Sequence, residues 1–552
     1  MKPIFNSSKL MLLCISLWLI VCSSIRYLSV PDEGRYGDIS RAMLQSGDWL
    51  VPRINGLPFL HKPPLLHWIS SALMEVFGVH VWVLRLVPAL AGILMLIGLF
   101  WFLKKYYNEQ IAQLSVIILS TNFLFFGSSQ YVNHDLLVAC WISLTVFFFA
   151  DYTLSGKKNI LFLGYIVCAL GFLTKGLIAV LIPGMVILPW VLMTGQWKKI
   201  PSLLHPLGLL IFIVIAMPWI YLVQQKYPVF LHYFFIDQQF NRFSSDDFNN
   251  KQPWSFYLVC LFISSLPWLF AAKFKFSSQL FKQQLGKPVF ILILWWFISV
   301  TAFFSIPPSK LVGYILPAIA PFTILIAIML DSVLAQHKIS RVQVWAPTVF
   351  VLIFSIFFAV LPFIGHEKLA LTHDDIQHLY LLAGTLFILM NLLVLAYKKK
   401  KLSYVKFIFS TLVLLCISIG FGAKILDQKN NANQVSFKKN ITTNATIVFY
   451  HNYFYDVPLL LNLQQPVYLV DDWDVVGQDS SSMQLKDGLL FEPERKKYLW
   501  SENALQHQIV SGQPTVLLAR ANTYKNKYAN VQVLHYRNYD VYFFNYEHSI
   551  NK

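Results

Sequence analysis

The sequence predicts a polytopic α-helical membrane protein that ends in a small soluble α/β domain. Three observations carry that prediction. The 552 residues are 56% hydrophobic and only 13% charged, whereas soluble domains carry about 25% charged residues. Apolar runs near the ~20 residues needed to cross a bilayer recur from the N-terminus to about residue 423. Beyond about Lys424 the chain turns polar and its apolar runs become short. The net charge of +17 would suggest nucleic acid for a soluble protein, but the placement of the charges excludes that partner here.

The first apolar run, near 9–25, reads as an uncleaved helix, because no small-x-small cleavage site precedes the acidic stretch that follows. Further spans are expected near 80–103, 111–128, 136–153, 160–174, 177–195, 205–224, 255–272, 288–304, 311–332, 344–364, 378–397 and 404–422, about thirteen in all. The pair flanking Thr174-Lys175-Gly176 also fits one interrupted segment. The stretch 63–78 is apolar but short and follows two prolines, which suits a helix lying in the interface. All six cysteines fall in or beside apolar runs without a CxxC, so they read as membrane-buried thiols.

Basic clusters orient the chain. With this helix count, Lys2/Lys9, Lys104/Lys105, Lys157/Lys158, Lys198/Lys199, the 273–287 lysines, Lys338/Arg341 and Lys398 to Lys401 all fall on one side. The positive-inside rule makes that side cytoplasmic and places the N-terminus there. An odd helix number then puts the C-terminal region outside. Residues 1–423 are expected to form the transmembrane domain, with an external amphipathic loop over 26–79, and 424–552 an external soluble α/β domain. In that domain 446–450, 466–470, 514–518, 531–534 and 541–544 read as strands, and 501–511 as a helix. Asn440-Ile441-Thr442 and Asn444-Ala445-Thr446 match the short N-glycosylation pattern.

The external side collects the chemistry. Asp32 and Glu33 stand where the first helix hands the chain to water, in a patch that includes Arg26, Arg35, Arg41, Arg53, His61 and His67. Adjacent side chains diverge, so one carboxylate suits a general base while the other orients a basic neighbour or a metal. Capping of a helix that follows Pro31 is the alternative. Asp135 lies at the external end of a helix, where an ionisable group is a functional candidate; it also fits an N-cap. Lys62, Arg85, Lys175, Arg242 and Lys310 are scarce external cations suited to a lipid phosphate, with solvated loop charges as the alternative and a structural place for Arg85. The loop from His232-Tyr233 to Asp246-Asp247 is aromatic, then acidic, as a sugar-stacking surface or an interfacial belt would be. The histidines His61, His67 and His232 show no metal spacing.

These residues resemble a family. Pro31-Asp32-Glu33 with Arg35-Tyr36, Ile39-Ser40-Arg41, Ser46-Gly47-Asp48-Trp49 and Lys62-Pro63 is similar to the first external loop of the aminoarabinose transferases of lipid A, bacterial relatives of the protein O-mannosyltransferases. Asp135, Thr174-Lys175-Gly176, Pro189-Trp190, His232 to Phe235, Arg242-Phe243, Asp246-Asp247, Leu266-Pro267-Trp268 and Lys310 with Tyr314 extend the match.

The resemblance implies the GT-C membrane glycosyltransferase fold in a bacterial inner membrane. The partners it implies are a sugar on undecaprenyl phosphate as donor, a phosphate of lipid A on the periplasmic face as acceptor, and membrane lipids around the chain. The implied transfer is direct, with inversion at the sugar carbon. Asp32, Glu33 and Asp135 become the implied catalytic residues, Lys62, Arg242, Lys175 and Lys310 the donor-phosphate ligands, and Tyr36, His61, Tyr233 and Asp246 the substrate contacts. Cations so placed would stabilise the charge that develops on the departing lipid phosphate. His61 replaces the family's usual Glu before Lys-Pro, and Gln238-Gln239 replace its Glu-His. Those positions are associated with metal in the resembling enzymes, so a divalent metal stays open as a cofactor, as does the sugar. A protein hydroxyl or another envelope glycan is the alternative acceptor. A lipid or sugar transporter is the reading from another class, but it calls for charges in mid-helix and inverted repeats, and the charges here gather at helix ends.

Overall fold

A computed structural model describes residues 4–241, 251–273, 277–336, 339–369, 371–428, 438, 441, 444–474, 481–529, 531–536 and 538–546. The chain forms two compact units. One contains Met1–Ile25, Arg85–Tyr221 and Phe235–Ala423; the other contains Arg26–Leu84, Leu222–Phe234 and Lys424–Lys552.

The first unit is helical. Every one of the expected apolar runs is occupied by helix. Nine helices among the described residues are long and apolar enough to cross a membrane. The run at 111–128 is a bent pair, Glu109–Ser120 and Phe123–Ser129, at 66° to each other. Asn122 makes that bend: its side chain accepts the amides of Leu124 and Phe125 and donates to Ser265 at 2.6 Å. Ser8–Cys22, Ile178–Met193 and Phe256–Ala271 are shorter apolar helices of 15, 16 and 16 residues. At about 1.5 Å per residue these fall short of a ~30 Å hydrocarbon layer.

Two helices, not one interrupted helix, flank residue 176, because Gly176 ends Lys158–Lys175 with φ +78°. Polar groups inside this unit are paired, as an apolar solvent demands: Trp268 donates to Thr121 at 2.9 Å and Trp190 to the Pro288 carbonyl at 2.8 Å. Arg85 is 1% exposed, with its guanidinium 3.4 Å from the Ser23 carbonyl, which is its structural reading. The six cysteines are free thiols.

The second unit is built on a mixed sheet. Its first loop carries a small hairpin, β1 (Arg53–Ile54) and β2 (Leu57–Pro58), between the helices Asp32–Ser46 and Leu65–Phe77. The C-terminal region supplies β3 (Thr446–Tyr450), β4 (Tyr468–Val470), β5 (Leu499–Trp500), β6 (Thr515–Arg520), β7 (Gln532–His535) and β8 (Tyr539–Phe544), in the order β5-β4-β3-β6-β8-β7. The first four of these are parallel; β8 runs antiparallel to β6 and β7. The five expected strands and the helix at Glu502–Val510 are present; β5, only two residues long, was not expected.

Side chains alternate across these strands. Phe449, Leu469, Val516, Leu518 and Val541 form one face with Ile39, Ile54, Leu57 and Phe59 of the first loop. Val448, Val470, Leu517 and Tyr542 form the other with Leu505 and Ile509. The break expected at 424 is a unit boundary, but the loop 26–79, expected within the transmembrane domain, clusters with 424–552 instead. The reason is apolar area: each of those four loop side chains, fully buried on the sheet, stabilises it by about 1.5–3 kcal/mol. For the glycosylation patterns, Asn440 and Thr442 lie outside the described residues, and Thr446 of the other opens β3.

Candidate active site

Helix Asp32–Ser46 follows Pro31 and ends at Gly47, whose φ of +66° suits glycine. Asp32 and Glu33 occupy its first turn, where carboxylates oppose the positive end of the helix dipole. No side chain caps it, so the capping alternative holds only in its dipole part.

Exposure separates the acids of this helix. Glu33 is 0% exposed; it accepts the Ser29 amide at 2.8 Å and lies 3.4 Å from Arg26. Asp38 is 2% exposed and bound by Arg41 at 2.6 Å; burial raises its pKa and Arg41 opposes the rise. Asp32 keeps 30% of its side-chain surface and pairs with Arg35. It is the acid of the three that a substrate can reach. Arg35 is held over the rings of Tyr36 and Tyr455, at 4.9 and 5.6 Å, and donates to Gln484 at 2.9 Å. Tyr36 thus serves the guanidinium beside Asp32.

His61, Lys62 and Tyr233 belong to the same unit. His61 stacks on Phe59 at 4.4 Å and meets the edge of Tyr233 at 5.8 Å. Its Nε2 lies 3.6 Å from Asp487, whose pKa burial pushes up to about 6. Tyr233 packs edge-on to Phe491 at 5.1 Å. Lys62 is half-buried beside His61.

The remaining bases of the expected patch point inward. His67 is 1% exposed, with Nδ1 3.1 Å from the Ser40 hydroxyl, and burial lowers its pKa to about 3; it is a packed neutral ring. Arg53 makes a two-pronged bond to Glu492 at 2.8 and 2.7 Å. Glu492 also accepts from Tyr227 and Arg495.

The helical unit holds a second cluster. Asn133 caps helix His134–Ser155 by accepting the Asp135 amide at 2.9 Å, so Asp135 is not the cap. Asp135 pairs with Lys175, whose ammonium lies 4.4 Å from the ring centre of Tyr314. A Cβ at Gly313 would lie 2.2 Å from Asp135 Oδ2, so only glycine lets this loop close on the carboxylate. Lys310, in the same loop, is 4% exposed and donates to the carbonyls of Gln252, at 3.0 Å, and Pro307. It ties the loop to residues 251–252, where Gln252 donates to Pro308 at 3.0 Å. This cation is engaged by backbone, whereas the others of the set were expected to face a phosphate.

Arg242 and Asp246 lie outside the described residues. Among the described residues no three or more His, Cys, Asp and Glu side chains gather as a metal site would. Sequence reasoning missed Tyr455, Gln484 and Asp487, because nothing in the C-terminal region marks residues that meet a helix hundreds of positions earlier.

Comparison with known proteins adds names. Residues 61–222 match the family described as dolichyl-phosphate-mannose-protein mannosyltransferase. The chain is 33% identical over 316 residues to the undecaprenyl phosphate-alpha-4-amino-4-deoxy-L-arabinose arabinosyl transferase of Edwardsiella ictaluri, covering 56% of this chain and 57% of that one. It is 32% identical over 345 residues to the protein of the same name from Aeromonas hydrophila, covering 61% and 63%. The chain therefore spans about three-fifths of the length of the curated relatives it matches. The crystal structure of ArnT from Cupriavidus metallidurans bound to undecaprenyl phosphate superposes with a TM-score of 0.76 at 23% identity, over 97% of both chains. The expected GT-C membrane fold with an appended β-containing domain is thus the fold of this chain.

Proposed function

We propose that the chain is a glycosyltransferase that moves a sugar, expected to be an amino sugar, from undecaprenyl phosphate to a phosphate of lipid A. We further propose that its N-terminus is cytoplasmic and that its site and C-terminal region are periplasmic. The relatives' names supply the donor and the sugar. One observation on this chain carries the residue assignment: of three acids on one helix, Asp32 alone keeps an accessible carboxylate, at 30% against 0% and 2%.

The chemistry asks for this arrangement. The bond from the sugar's anomeric carbon to the carrier phosphate breaks, and a bond from that carbon to an acceptor phosphate oxygen forms. The carrier leaves as a monophosphate with one more negative charge, so cations held at the leaving oxygen favour departure. Lys62 and Arg242 take that role in the proposal, with Lys175 beside Asp135. Lys310 supports the loop that carries Tyr314. An acceptor phosphate, with a second pKa near about 6, is largely ionised at neutral pH. Asp32 then has to orient the acceptor and accept its residual proton. Glu33 positions the start of the helix through Ser29 and Arg26. His61 and Tyr233 form the ring surface assigned to the sugar, and Asp246 a further contact.

Mass spectrometry of lipid A from cells with and without the chain tests the reading. A mass increment that depends on the chain and disappears in Asp32→Asn is expected, and its size names the sugar. Unmodified lipid A in cells proven to make the donor would sink the lipid A assignment. A protein hydroxyl or another envelope glycan would then be the acceptor to assay.

A further inference from the structure

The sheet of the second unit has a topological switch. From β3 the chain moves to β4 and β5 on one side; β6 then returns to the other side of β3. The chain thus leaves the C-terminal ends of β3 and β6 in opposite directions. In open parallel sheets such a divergence opens a crevice, and ligands bind there.

Here the crevice is a cavity of about 770 Å³, lined by Tyr450 to Asp456 after β3 and by Arg520 and Thr523 at the end of β6. Its volume lies within the roughly 300–1,000 Å³ of small-molecule sites. All the lining residues belong to the second unit.

The lining has a definite chemistry. Arg35 and Arg520 contribute guanidiniums, and Arg520 is exposed, fixed by a 2.8 Å bond to Asn452. Tyr450, Phe454 and Tyr455 contribute rings. Asp456 is 4% exposed, and its Oδ2 is buried without a hydrogen-bond partner. Leaving a buried acceptor unmet costs about 1–3 kcal/mol, so such an atom in a cavity wall calls for a donor from a ligand. Guanidiniums suit a phosphate, rings suit the face of a sugar, and the carboxylate suits a sugar hydroxyl or amine.

The geometry points to a phosphorylated-sugar site at the switch point of the sheet, taking the phosphosugar head of the acceptor. Arg35 belongs to this wall and also pairs with Asp32. Gly34 makes the join: a Cβ there would sit 2.9 Å from the Asp456 amide nitrogen, so the Asp32 helix packs backbone-close against the 455–456 segment. A ligand held by Arg35 and Asp456 would therefore be held within one helical turn of Asp32. This assignment to the acceptor rests on the function proposed above.

The test uses the full-length protein in lipid nanodiscs. N-acetylglucosamine 1-phosphate is titrated in by calorimetry, and steady-state transfer is measured with donor and acceptor varied separately. Arg520→Gln and Asp456→Asn should each weaken probe binding at least tenfold and raise KM for the acceptor, with kcat and the donor KM unchanged. Asp32→Asn should bind the probe normally. A rise in donor KM alone would overturn the acceptor assignment and give the site to the donor's sugar phosphate. Unchanged probe affinity and unchanged KM values in Arg520→Gln would overturn the site itself. That variant alters an exposed side chain, so it serves even if Asp456→Asn fails to fold. Probe binding without any modification of lipid A would fault the function proposed above and leave the phosphosugar site standing.

Discussion

The helical unit and the mixed unit handle charge in opposite ways. In the helical unit the ion pairs sit near helix ends: Asp135 with Lys175, and Asp151 with Lys105 at 2.6 Å. The body of that unit is apolar packing, and charge marks where helices start and stop. In the mixed unit, charged and polar bonds join segments far apart in sequence. Arg53 reaches Glu492 across 439 positions, Arg35 reaches Gln484 across 449, and Asn55 exchanges bonds with Val467 across 412. The first loop is held to the sheet by these bonds as well as by its apolar face. The contrast teaches that a charge in the mixed unit is by default structural, and that an accessible one such as Asp32 stands out.

Substitutions can break or sharpen this contrast. Asp32→Asn should have the largest effect, cutting transfer by roughly a hundredfold or more. Its thermal unfolding should stay within about 1 kcal/mol of the parent, as for an exposed ion pair. A large loss of stability would return Asp32 to the structural set.

Arg53→Met comes next. Removing one partner of a buried pair costs about 3–5 kcal/mol. Arg495 and Tyr227 still serve Glu492, so the lower end, about 3 kcal/mol, is expected in denaturant titrations. A change below about 1 kcal/mol would show that apolar area alone holds the first loop.

The pH dependence of stability sharpens the picture on a smaller scale. Against the raising effect of burial, bonds from Arg53, Tyr227 and Arg495 hold Glu492 down at about 2. A depressed carboxyl contributes stability that is present above its ordinary value of 4.5 and lost as pH falls through about 2. Burial lifts Asp456 and Asp487 to about 6 from an ordinary 3.8. Their contribution has the other sign: it is present below the ordinary value and lost as pH rises through about 6. Unfolding measured from about pH 7 down to pH 5 should therefore show a gain in stability. Asp487→Asn should remove about 1 kcal/mol of that gain, a figure discounted for its partial exposure. An identical profile in the variant would mean that Asp487 titrates normally.

Gly47→Ala should have the smallest effect. A Cβ there meets nothing within 4 Å, so the cost is conformational, from φ +66°. About 1 kcal/mol is expected in thermal unfolding, with transfer unchanged. A loss of transfer would tie the far end of the Asp32 helix to the chemistry.

Much of the fold was legible because its signals are local. Hydropathy over ~20 residues marks a span wherever the neighbours lie, and helices occupy all the expected apolar runs. The strands of the C-terminal sheet showed as short β-branched and aromatic runs, except for the two residues of β5. Pro31-Asp32-Glu33 announced a helix start with acids in its first turn, and the structure has that start. The pairing of Asp135 with Lys175 was not announced, although both residues were candidates.

The sequence by itself thus determined the elements and the residue types at their ends, because hydrophobic period and turn chemistry act over a few residues. Only the tertiary structure decided which charged groups are engaged. Burial of Glu33 and accessibility of Asp32 depend on how the helix packs, not on their adjacent places in the chain. Lys310 differs from Lys175 because backbone carbonyls surround its ammonium. The carbonyls, rings and carboxylates that set these environments come from segments hundreds of residues apart. Coulomb and hydrogen-bond energies depend on distance in space, and separation along the chain does not encode it.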